Sequence, residues 1–547
     1  MKRHKTMKAL ENRIAIALCA AAFVGSVFAI DDLPAPNEAG KIVLDTAGGE
    51  YAATTDVVCT QVVFSANNIS VDLSADGGKT ISIPSTVTTD GFSFSARDFT
   101  ASVSGGVWDF GGGANMTVGK FHNDAITFSG TKVRNVKNVT IGSNYRNCTL
   151  TLSDSAEFDA ESMRIASSSN GGRCKFEVLD GATATINGNF FPEDNAGYGD
   201  NCLIVDGVGS SLSVPNKNVV LGSNLSNDRM SISNGGSAAL QSLTVGNGGR
   251  ATNTVLTVDG ASLTLDGNLV IGNSDSSCNR VEISGSSSRL QRGNPSDFDP
   301  YFGTGGFNEF HVTGGAVITN EFTKDAYIGY QSSNNIVRIS DGGKLRWSAS
   351  DKNVCLGNKT ALAHHNMFIV ENGGTNDVFR FVISGHDNRL VITNGTFITR
   401  RTGTGSLWVG NNNVGSGSVT PQNNGIVLCG TKPSLRIPGG LTLENSSYLR
   451  FELPAAELET VPVNFGSVSI SENSALHVAC GDYLSYLGDK RSRVVLASAS
   501  SPANMIIPQS VLDGANAELP ERCKLVVDGG DLVLMTRSNK GLILSFH

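Results

Sequence analysis

An internal repeat marked by turn glycines constrains the fold of this chain more than any other feature. Each copy runs apolar-x-apolar into Asp or Asn, then Gly, then a small residue and a second apolar alternation, as in KFEVLDGATATI at 175–186. Successive turn glycines lie about 27 residues apart on average. Such a period is typical of solenoids and related repeat architectures. The turn glycines are Gly181, Gly207, Gly235, Gly260, Gly285, Gly314, Gly342, Gly373 and Gly395.

A second short motif, apolar-x-apolar-Gly followed by a polar residue, alternates with the first. It occurs as LTVGNG at 243–248, LVIGNS at 269–274 and LWVGNN at 407–412, among others. Each repeat therefore contains about three short strands separated by Gly, Asn, Asp and Ser turns. A short strand buries its apolar face only when one repeat stacks on the next. The sequence therefore predicts an all-β fold, a single-stranded parallel β-helix of about 27 residues per coil. Its winding is expected to be right-handed, by the general rule for parallel crossovers.

Residues of equal phase should stack in ladders about 4.8 Å apart. The predicted inward ladder is Val178, Val205, Ile232, Val258 and Ile283. A β-propeller blade needs four strands and about 40–45 residues, and a leucine-rich repeat needs a Leu spacing that this chain lacks. The repeat length and pattern therefore favour the β-helix over both.

The composition divides the chain into four predicted regions. They are a signal peptide at 1–29, an N-terminal β-rich cap or irregular first coils at 30–104, parallel β-helix repeats at 105–453, and a C-terminal β-rich cap at 454–547. The last region is poorer in Gly and ends in the strand-like pair KLVVDGGDLVLMT at 524–536. A cap is expected there because an open solenoid end exposes an unpaired strand edge.

The N-terminus has the pattern of a Sec-type signal peptide. Basic residues such as Lys2 and Arg3 precede a short apolar stretch from Ile14 to Val24, and Val27-Phe28-Ala29 fits a cleavage site. An uncleaved anchor is the alternative, although the stretch is short for a membrane span. No later segment is apolar enough for a transmembrane helix. We therefore expect an exported chain that is secreted, on the cell surface or in the periplasm.

The charge balance argues against a nucleic-acid partner. The formal net charge is −8, and removing residues 1–29, with five basic residues and one acidic, leaves −12. Nucleic-acid binding needs clustered Lys and Arg. The 63 glycines in 547 residues are also far fewer than collagen requires, and 39% apolar residues argue against intrinsic disorder.

The turn acids are the candidate metal ligands. Asp180, Asp206 and Asp259 could present stacked carboxylates to Ca²⁺, which prefers several oxygen ligands. The alternative is that each acid caps its own turn before a left-handed glycine, and Asn234 stands at the same kind of position. That alternative is favoured, and no cofactor is expected.

Nine cysteines remain after signal cleavage, too few for a dense disulfide framework. Cys148 and Cys174 each lie seven residues before the turn position of their copies, so we expect them to be neighbours in adjacent coils. A disulfide between them is a candidate, and a stack of small buried side chains is the alternative. Cys278 has the same spacing from Gly285, several coils away.

The most suggestive polar clusters are His364-His365 and His386-Asp387. Glycosidase chemistry needs two carboxylates about 5–10 Å apart, and a lone His in a turn is more often a solvated or capping residue, so no catalytic residue is assigned. Among the aromatic residues, Trp347, Trp408 and Tyr330 could stack on sugar rings. The strand phases of the two tryptophans favour core packing instead.

The alternating strands, with turns such as IGN in LVIGNS and DGG in IVRISDGGKLRW at 335–347, resemble those of secreted bacterial parallel β-helix proteins. They are similar to autotransporter-type passenger domains and, in fold only, to the pectate-lyase-like superfold. The resemblance covers about residues 105–453. It implies a Gram-negative-type envelope or secreted location. Only about 94 residues follow the predicted solenoid, short of an autotransporter's membrane barrel, so periplasmic retention is as compatible as surface display.

Two functions are open at this point. One is a non-catalytic structural or adhesive rod that contacts carbohydrate or other envelope components through a repetitive polar face. The alternative is a polysaccharide lyase or glycoside hydrolase of the β-helix type. An enzyme is expected to break the repeat at one face, and the longest gap, between Gly342 and Gly373, carries Lys352, Lys359, His364 and His365. The oligomeric state is not encoded in the pattern.

Overall fold

The computed structural model shows one stack of parallel strands. It describes residues 30–94, 98–166, 170–191, 199–223, 226–273, 275–292, 301–302, 305–320, 325–347, 351–358, 360, 362–411 and 419–538. About 52% of the chain is strand and 5% is helix, and the strands form a β-solenoid of about 14 turns with about 26 residues per turn. The predicted all-β parallel solenoid is confirmed. The hand of the winding stays a prediction.

One face, which we call the spine sheet, runs along the whole stack. Its 18 strands all pair in parallel with the copy before and after. They are Asp31–Asp32, Glu50–Ala52, Ile69–Asp72, Thr100–Ser104, Ala125–Ser129, Thr149–Ser153, Lys175–Leu179, Cys202–Asp206, Arg229–Ser233, Val255–Asp259, Arg280–Ser284, Glu309–Val312, Ile336–Ile339, Met367–Glu371, Arg389–Thr393, Gly425–Cys429, Tyr448–Glu452 and Ala475–Ala479.

A second face follows the spine sheet in each coil after a tight turn, and a third face completes the coil. Six long strands bend from the second face into the third: Lys132–Ile141, Glu157–Ile165, Ser211–Ser223, Ser237–Asn247, Ser434–Leu443 and Val463–Ile470. The other strands of the second face are Val57–Val58, Thr80–Ser82, Val107–Asp109, Thr183–Ile186, Ser262–Leu265, Arg289–Arg292, Val317–Asn320, Lys344–Trp347, Thr375–Val378 and Thr396–Thr399. Those of the third face are Lys41–Leu44, Gln61–Phe64, Phe92–Phe94, Met116–Val118, Phe190–Phe191, Leu269–Asn273, Tyr301–Phe302, Ala326–Ile328, Asn353–Leu356, Arg380–Ile383, Leu407–Val409 and Met505–Ile506.

The predicted inward ladder is confirmed residue by residue. Val178 pairs with Val205, Val205 with Ile232, Ile232 with Val258, and Val258 with Ile283. All five side chains are fully buried. Apolar residues at equivalent positions of successive coils therefore fill the centre of the rod. Stacking buries their apolar surface, which a single coil would expose to water.

The turns between the spine sheet and the second face explain the Asp-Gly and Asn-Gly pairs. Asp180 and Gly181 have φ of 51° and 80°, and Asn234 and Gly235 have φ of 50° and 84°. Two successive left-handed residues form a type I′ turn, which Asn-Gly and Asp-Gly adopt at little steric cost. The first sequence motif is therefore a strand that ends in this turn.

A ladder of buried polar side chains lies immediately before the spine strands, and we call it the amide ladder. The Oδ1 atom of Asn308 accepts hydrogen bonds from the backbone N–H of Asn279 at 3.0 Å and from its side-chain amide at 2.9 Å. Asn335 and Asn366 repeat this pattern in the next coils. Each amide thus satisfies a group in the coil before it. The buried members include Asn201, Asp228, Thr254, Asn279, Asn308, Asn335, Asn366, Asn388 and Asn424.

The glycine of the second sequence motif makes room for this ladder. A Cβ atom on Gly272 would lie 2.0 Å from Nδ2 of Asn308, and one on Gly246 would lie 2.3 Å from Cγ of Asn279. Both glycines also have positive φ, 71° and 79°. The two motifs are therefore coupled, because the glycine of one coil accommodates the ladder side chain of the next.

The C-terminal end carries a small α/β cap. Helix α1, Gly481–Leu487, follows the last spine strand, and helix α2, Gln509–Glu518, precedes the antiparallel hairpin Cys523–Asp528 and Asp531–Thr536. Strand Ser492–Ala499 pairs in parallel with the last coil and antiparallel with the hairpin. Antiparallel pairing thus replaces the parallel stack at this end. Short 3₁₀ segments occur at Ala75–Gly77 and Pro502–Asn504.

Candidate functional site

The outward side chains of the spine sheet form a second set of ladders whose chemistry changes along the rod. In the N-terminal part the central outward positions are small hydroxyl side chains, Ser102, Thr127 and Thr151. Towards the C-terminus the same position holds His311, Arg338 and later Arg450, His477. The ladder therefore changes from polar to charged, and three apolar rungs separate Arg338 from Arg450, namely Ile369, Val391 and Val427.

A charged patch lies in the middle of the spine sheet. Arg280 contacts Glu282 at 2.7 Å, and Arg338 contacts Glu371. His311 lies between these arginines and contacts Glu309 at 3.2 Å. Burial, with Arg280 and Arg338 adding to it, lowers the pKa of His311 to about 4. This histidine is therefore neutral at pH 7.

A groove of about 470 Å³ lies on the spine sheet near its C-terminal end. Gly425 occupies the outward position between Arg389 and Tyr448. A Cβ there would lie 2.1 Å from Cζ of Tyr448, so the glycine allows the tyrosine ring to lie against the backbone. The groove is lined by Met367, Arg389, Val391, Asn423, Val427, Cys429, Tyr448, Arg450, Glu452 and His477.

The groove combines an aromatic ring with basic and hydrogen-bonding groups. Arg450 contacts Glu452 at 2.8 Å, and the thiol of Cys429 donates to the other oxygen of Glu452 at 3.2 Å. Burial raises the pKa of Cys429 to about 12, and Glu452 adds to this. Burial also raises the pKa of Tyr448, so its hydroxyl stays protonated. Arg389 is exposed at the opposite rim.

The two histidine motifs meet at the corner beside this groove. His364 and His386 pair in adjacent coils. The Nδ1 atoms of His364 and His365 are 2.7 Å apart, and Nε2 of His365 is 3.9 Å from Asp387. Asn423, which lines the groove, donates to Asp387. The clusters selected from the sequence therefore form one surface with the groove.

The predicted calcium residues do not stack on one another. Asp206 pairs with Leu179 and Ser233, whereas Asp180 lies one residue later in its coil, inside the turn. Asp259 is separated from Asp206 by the rung of Ser233. In some turns the acid is the last residue of the spine strand, and in others it is the first residue of the turn. The distance of the acid from the turn glycine therefore does not tell which residues pair between neighbouring coils. Asp206 instead accepts hydrogen bonds from the Ser233 hydroxyl and the Asn234 amide at 2.5 and 2.7 Å.

The predicted positions within the coil are correct for Cys148 and Cys174 and wrong for Cys278. Cys148 and Cys174 precede strands whose first residues, Thr149 and Lys175, are paired, and both thiols are buried. The thiols donate to carbonyl oxygens, Cys148 to Phe121 at 3.3 Å and Cys174 to Gly172 at 3.3 Å. The disulfide between them stays a prediction. In the coil of Cys278 the residue directly before the spine strand is Asn279, because the following turn differs in length by one residue from that after Cys174. Cys278 therefore lies one residue earlier and is exposed.

The aromatic predictions are half right. Trp347 points inwards, is fully buried and donates from Nε1 to Asn376 at 3.0 Å. Trp408 points outwards, contrary to the predicted core position, and Arg380 covers its ring at 5.3 Å. Its Nε1 donates to Glu444 at 3.0 Å. Tyr330 lies on the same side of the rod in edge contact with Tyr327.

Two sequence predictions fall outside the described residues, namely the signal peptide at 1–29 and Lys359. Within the described ranges, no group of three or more His, Cys, Asp or Glu side chains is placed to hold a metal ion. None of the described helices has the length and apolar character needed to cross a bilayer.

Comparison with known proteins gives no relative. No family model matches the chain, no curated protein matches it, and no solved structure matches it.

Proposed function

We propose that this chain is an exported, non-catalytic rod that binds carbohydrate or another envelope component along its spine sheet, with the groove around Tyr448 as its main contact site. The observation that carries the proposal is the interruption of the outward ladder at Gly425, where the Tyr448 ring lies against the glycine in a groove that Arg389 and Arg450 also line. An aromatic face beside hydrogen-bonding cations suits a sugar ring that carries an acidic substituent.

The regular hydroxyl ladder towards the other end of the spine sheet supports a polyvalent mode of contact. Hydroxyl side chains recur at the spacing of the coils along the N-terminal part of the spine sheet. A chain-like ligand lying along them would meet many weak contacts in series, and linked weak contacts add up to firm binding. In this mode the groove makes the specific contact, and the ladder adds many weak contacts along the length of the ligand.

The contact site is tested by measuring binding of a linear polyuronate and of neutral dextran by calorimetry. Tyr448→Ala should weaken polyuronate binding by about 5- to 30-fold, since a stacked ring contributes about 1–2 kcal/mol. Tyr486→Ala, which removes a half-exposed tyrosine on helix α1, is the matched control and should change nothing. Equal loss in both variants, or no binding by the wild type, would count against the proposal.

Export is tested separately by expressing the full chain in a Gram-negative host. The basic and apolar pattern of residues 1–29 supports cleavage after Ala29. We expect the N-terminus of the recovered protein to begin at Ile30, outside the cytoplasm. Recovery of the intact N-terminus in the cytoplasm would contradict export.

The contact between His365 and Asp387 favours a second candidate, a polysaccharide lyase or glycoside hydrolase. A carboxylate can orient a histidine that acts as a general base, and this pair adjoins the groove. Incubation with pectin, alginate and glycosaminoglycans, followed by reducing-end and unsaturation assays, tests it. Turnover that His365→Gln abolishes would establish the enzyme, and binding without turnover would support the rod.

A further inference from the structure

Three apolar rungs interrupt the charged part of the outward ladder at the groove, and we call them the apolar strip. Ile369, Val391 and Val427 pair in that order between Arg338 and Arg450. At one rung every 4.8 Å, Ile369 and Val427 lie about 10 Å apart. An apolar surface with a polar rim is typical of interaction sites. The strip therefore adds an apolar contact to the aromatic and basic groups of the groove.

The apolar strip lies at the bottom of the groove. Val391 and Val427 belong to the residues that line its volume of about 470 Å³. On the side where the spine strands begin, the groove is lined by Met367, Arg389 and the ring of Tyr448. These three side chains are longer than the valines, which stay close to the sheet. A ligand in the groove therefore meets the valines with the face that it turns to the sheet.

Arg389 is the cation of the groove that stays available to a ligand. Arg450 contacts Glu452 at 2.8 Å, and Nδ1 of His477 contacts Glu518 of helix α2 at 2.7 Å. Within the part of the chain that the structure describes, no carboxylate forms an ion pair with Arg389, and this residue is exposed. An unpaired guanidinium beside an apolar strip favours a ligand that carries both a carboxylate and an apolar substituent.

We propose that the groove binds an acidic polysaccharide whose sugars carry acetyl esters, with a carboxylate at Arg389 and an acetyl methyl group on Val391 and Val427. This inference rests on the proposed function and specifies its ligand. Arg389 and Val391 stand two residues apart on one strand, about 7 Å along it, which is within the span of one substituted sugar.

The acetyl group is favoured by the chemistry of the apolar strip. A free sugar hydroxyl turned towards the valines would lose its hydrogen bonds to water and find no partner there. An acetyl ester has no hydroxyl donor at that oxygen, and its methyl group removes apolar surface from water. The strip therefore distinguishes the acetylated form of a sugar from the free form.

A lipid is the competing occupant of an apolar strip. The strip is three rungs long, and Arg338 and Arg450 end it on its two sides. A long fatty acyl chain lying along the rod would pass over these charged groups and remove part of their hydration, which is costly. An acetyl methyl group fits between them.

The proposal is tested by calorimetry with one polyuronate in two forms, chemically O-acetylated and the same polymer after mild alkaline deacetylation. The wild type should bind the acetylated form about 4- to 15-fold more tightly, the ratio that burial of one or two methyl groups gives. Equal affinity for the two forms would overturn this proposal and leave the binding rod in place. Absence of binding to either form would defeat the proposed function as well, so the two failures are distinguishable.

A second readout assigns the preference to the apolar strip. Val391→Thr and Val427→Thr keep the branched shape of the side chain and place a hydroxyl on the strip. Each should lower the ratio of acetylated to deacetylated affinity by about 3-fold or more. Val255→Thr makes the same change on the outward face of the spine sheet away from the groove and should keep the wild-type ratio. An unchanged ratio in both strip variants, or binding of phosphatidylglycerol vesicles that these variants abolish, would contradict the assignment.

Discussion

A buried amide is costly unless each of its polar atoms finds a partner, and the stretch of the amide ladder from Asn279 to Asn388 meets that requirement by repetition. Asn335 accepts from Asn308 in the coil before and donates to Asn366 in the coil after. The pairing requires the same side chain at the same phase in successive coils. The ladder therefore favours one register over a slipped one, since a slip by one residue would leave amides unpaired in the core.

The first residue-scale prediction concerns this ladder. Asn335→Ala leaves the backbone N–H of Asn308 without its acceptor, removes one acceptor of the Asn308 amide and opens a small cavity. We expect a loss of about 2–4 kcal/mol in the free energy of unfolding, measured by denaturant titration. Ser231→Ala, on the outward face of the spine sheet, is the control and should cost no more than about 0.5 kcal/mol. Similar losses in both variants would contradict the role of the ladder.

The second residue-scale prediction concerns acid sensitivity at His311. Its folded pKa of about 4 lies below the unfolded value, so the unfolded chain binds a proton first as the pH falls. Stability from this group is therefore present above about pH 6.5 and is lost as the pH falls towards 4. Between pH 7 and pH 5 the wild type should lose about 2 kcal/mol more than His311→Gln in denaturant titrations. An equal loss in both proteins would exclude His311 as the cause.

At the scale of elements, the glycines of the two motifs serve different purposes. Gly181 needs a left-handed backbone, and a Cβ there would meet its nearest atom only at 3.4 Å. Gly272 needs the same backbone conformation and also the space that Asn308 fills. Gly249 has neither requirement. The same substitution should therefore have graded effects.

The corresponding prediction is a series of three Gly→Ala variants studied by thermal and denaturant unfolding. Gly249→Ala should be within about 1 kcal/mol of the wild type. Gly181→Ala should cost about 1–2 kcal/mol, from backbone strain alone. Gly272→Ala should cost about 3 kcal/mol or more, since strain adds to overpacking against the ladder. A different order would show that the two motifs are not coupled as described.

How far the sequence predicts the fold can be judged from these same elements. Alternating apolar residues gave the parallel stack and the inward ladder from Val178 to Ile283, because period-2 patterns determine which face is buried. The phase of Cys278 was wrong because turns of two kinds shift the register by one residue. The orientation of Trp408 was wrong because this residue stands between the inward residues Leu407 and Val409. The amide ladder was missed, although Asn stands directly before several quoted strands, because a polar residue beside a turn reads as exposed.

The candidate site was only partly visible from the sequence. The histidine motifs were noticed, but their contact depends on coils of unequal length bringing His364 beside His386. The groove around Tyr448 gave no signal, because it arises from a missing side chain at Gly425, and a glycine in a strand has many explanations.

At the scale of the whole molecule, the solenoid makes distance along the rod proportional to the number of coils. Thr127, Thr151, Glu177, Ile204 and Ser231 occupy successive rungs of one outward ladder. The ladder continues through Thr257, Glu282 and His311 to Arg338. Ser231 and Arg338 are therefore four and eight rungs from Thr127.

Pulsed electron paramagnetic resonance on spin labels at these sites measures that proportionality directly. With the labels on cysteines introduced at Thr127 and Ser231, and at Thr127 and Arg338, and with Cys202, Cys278 and Cys429 replaced by Ser, we expect separations of about 19 Å and about 38 Å. The second separation should thus be about twice the first. Separations that do not grow with the number of intervening repeats would contradict the parallel stack on which every inference about the groove depends.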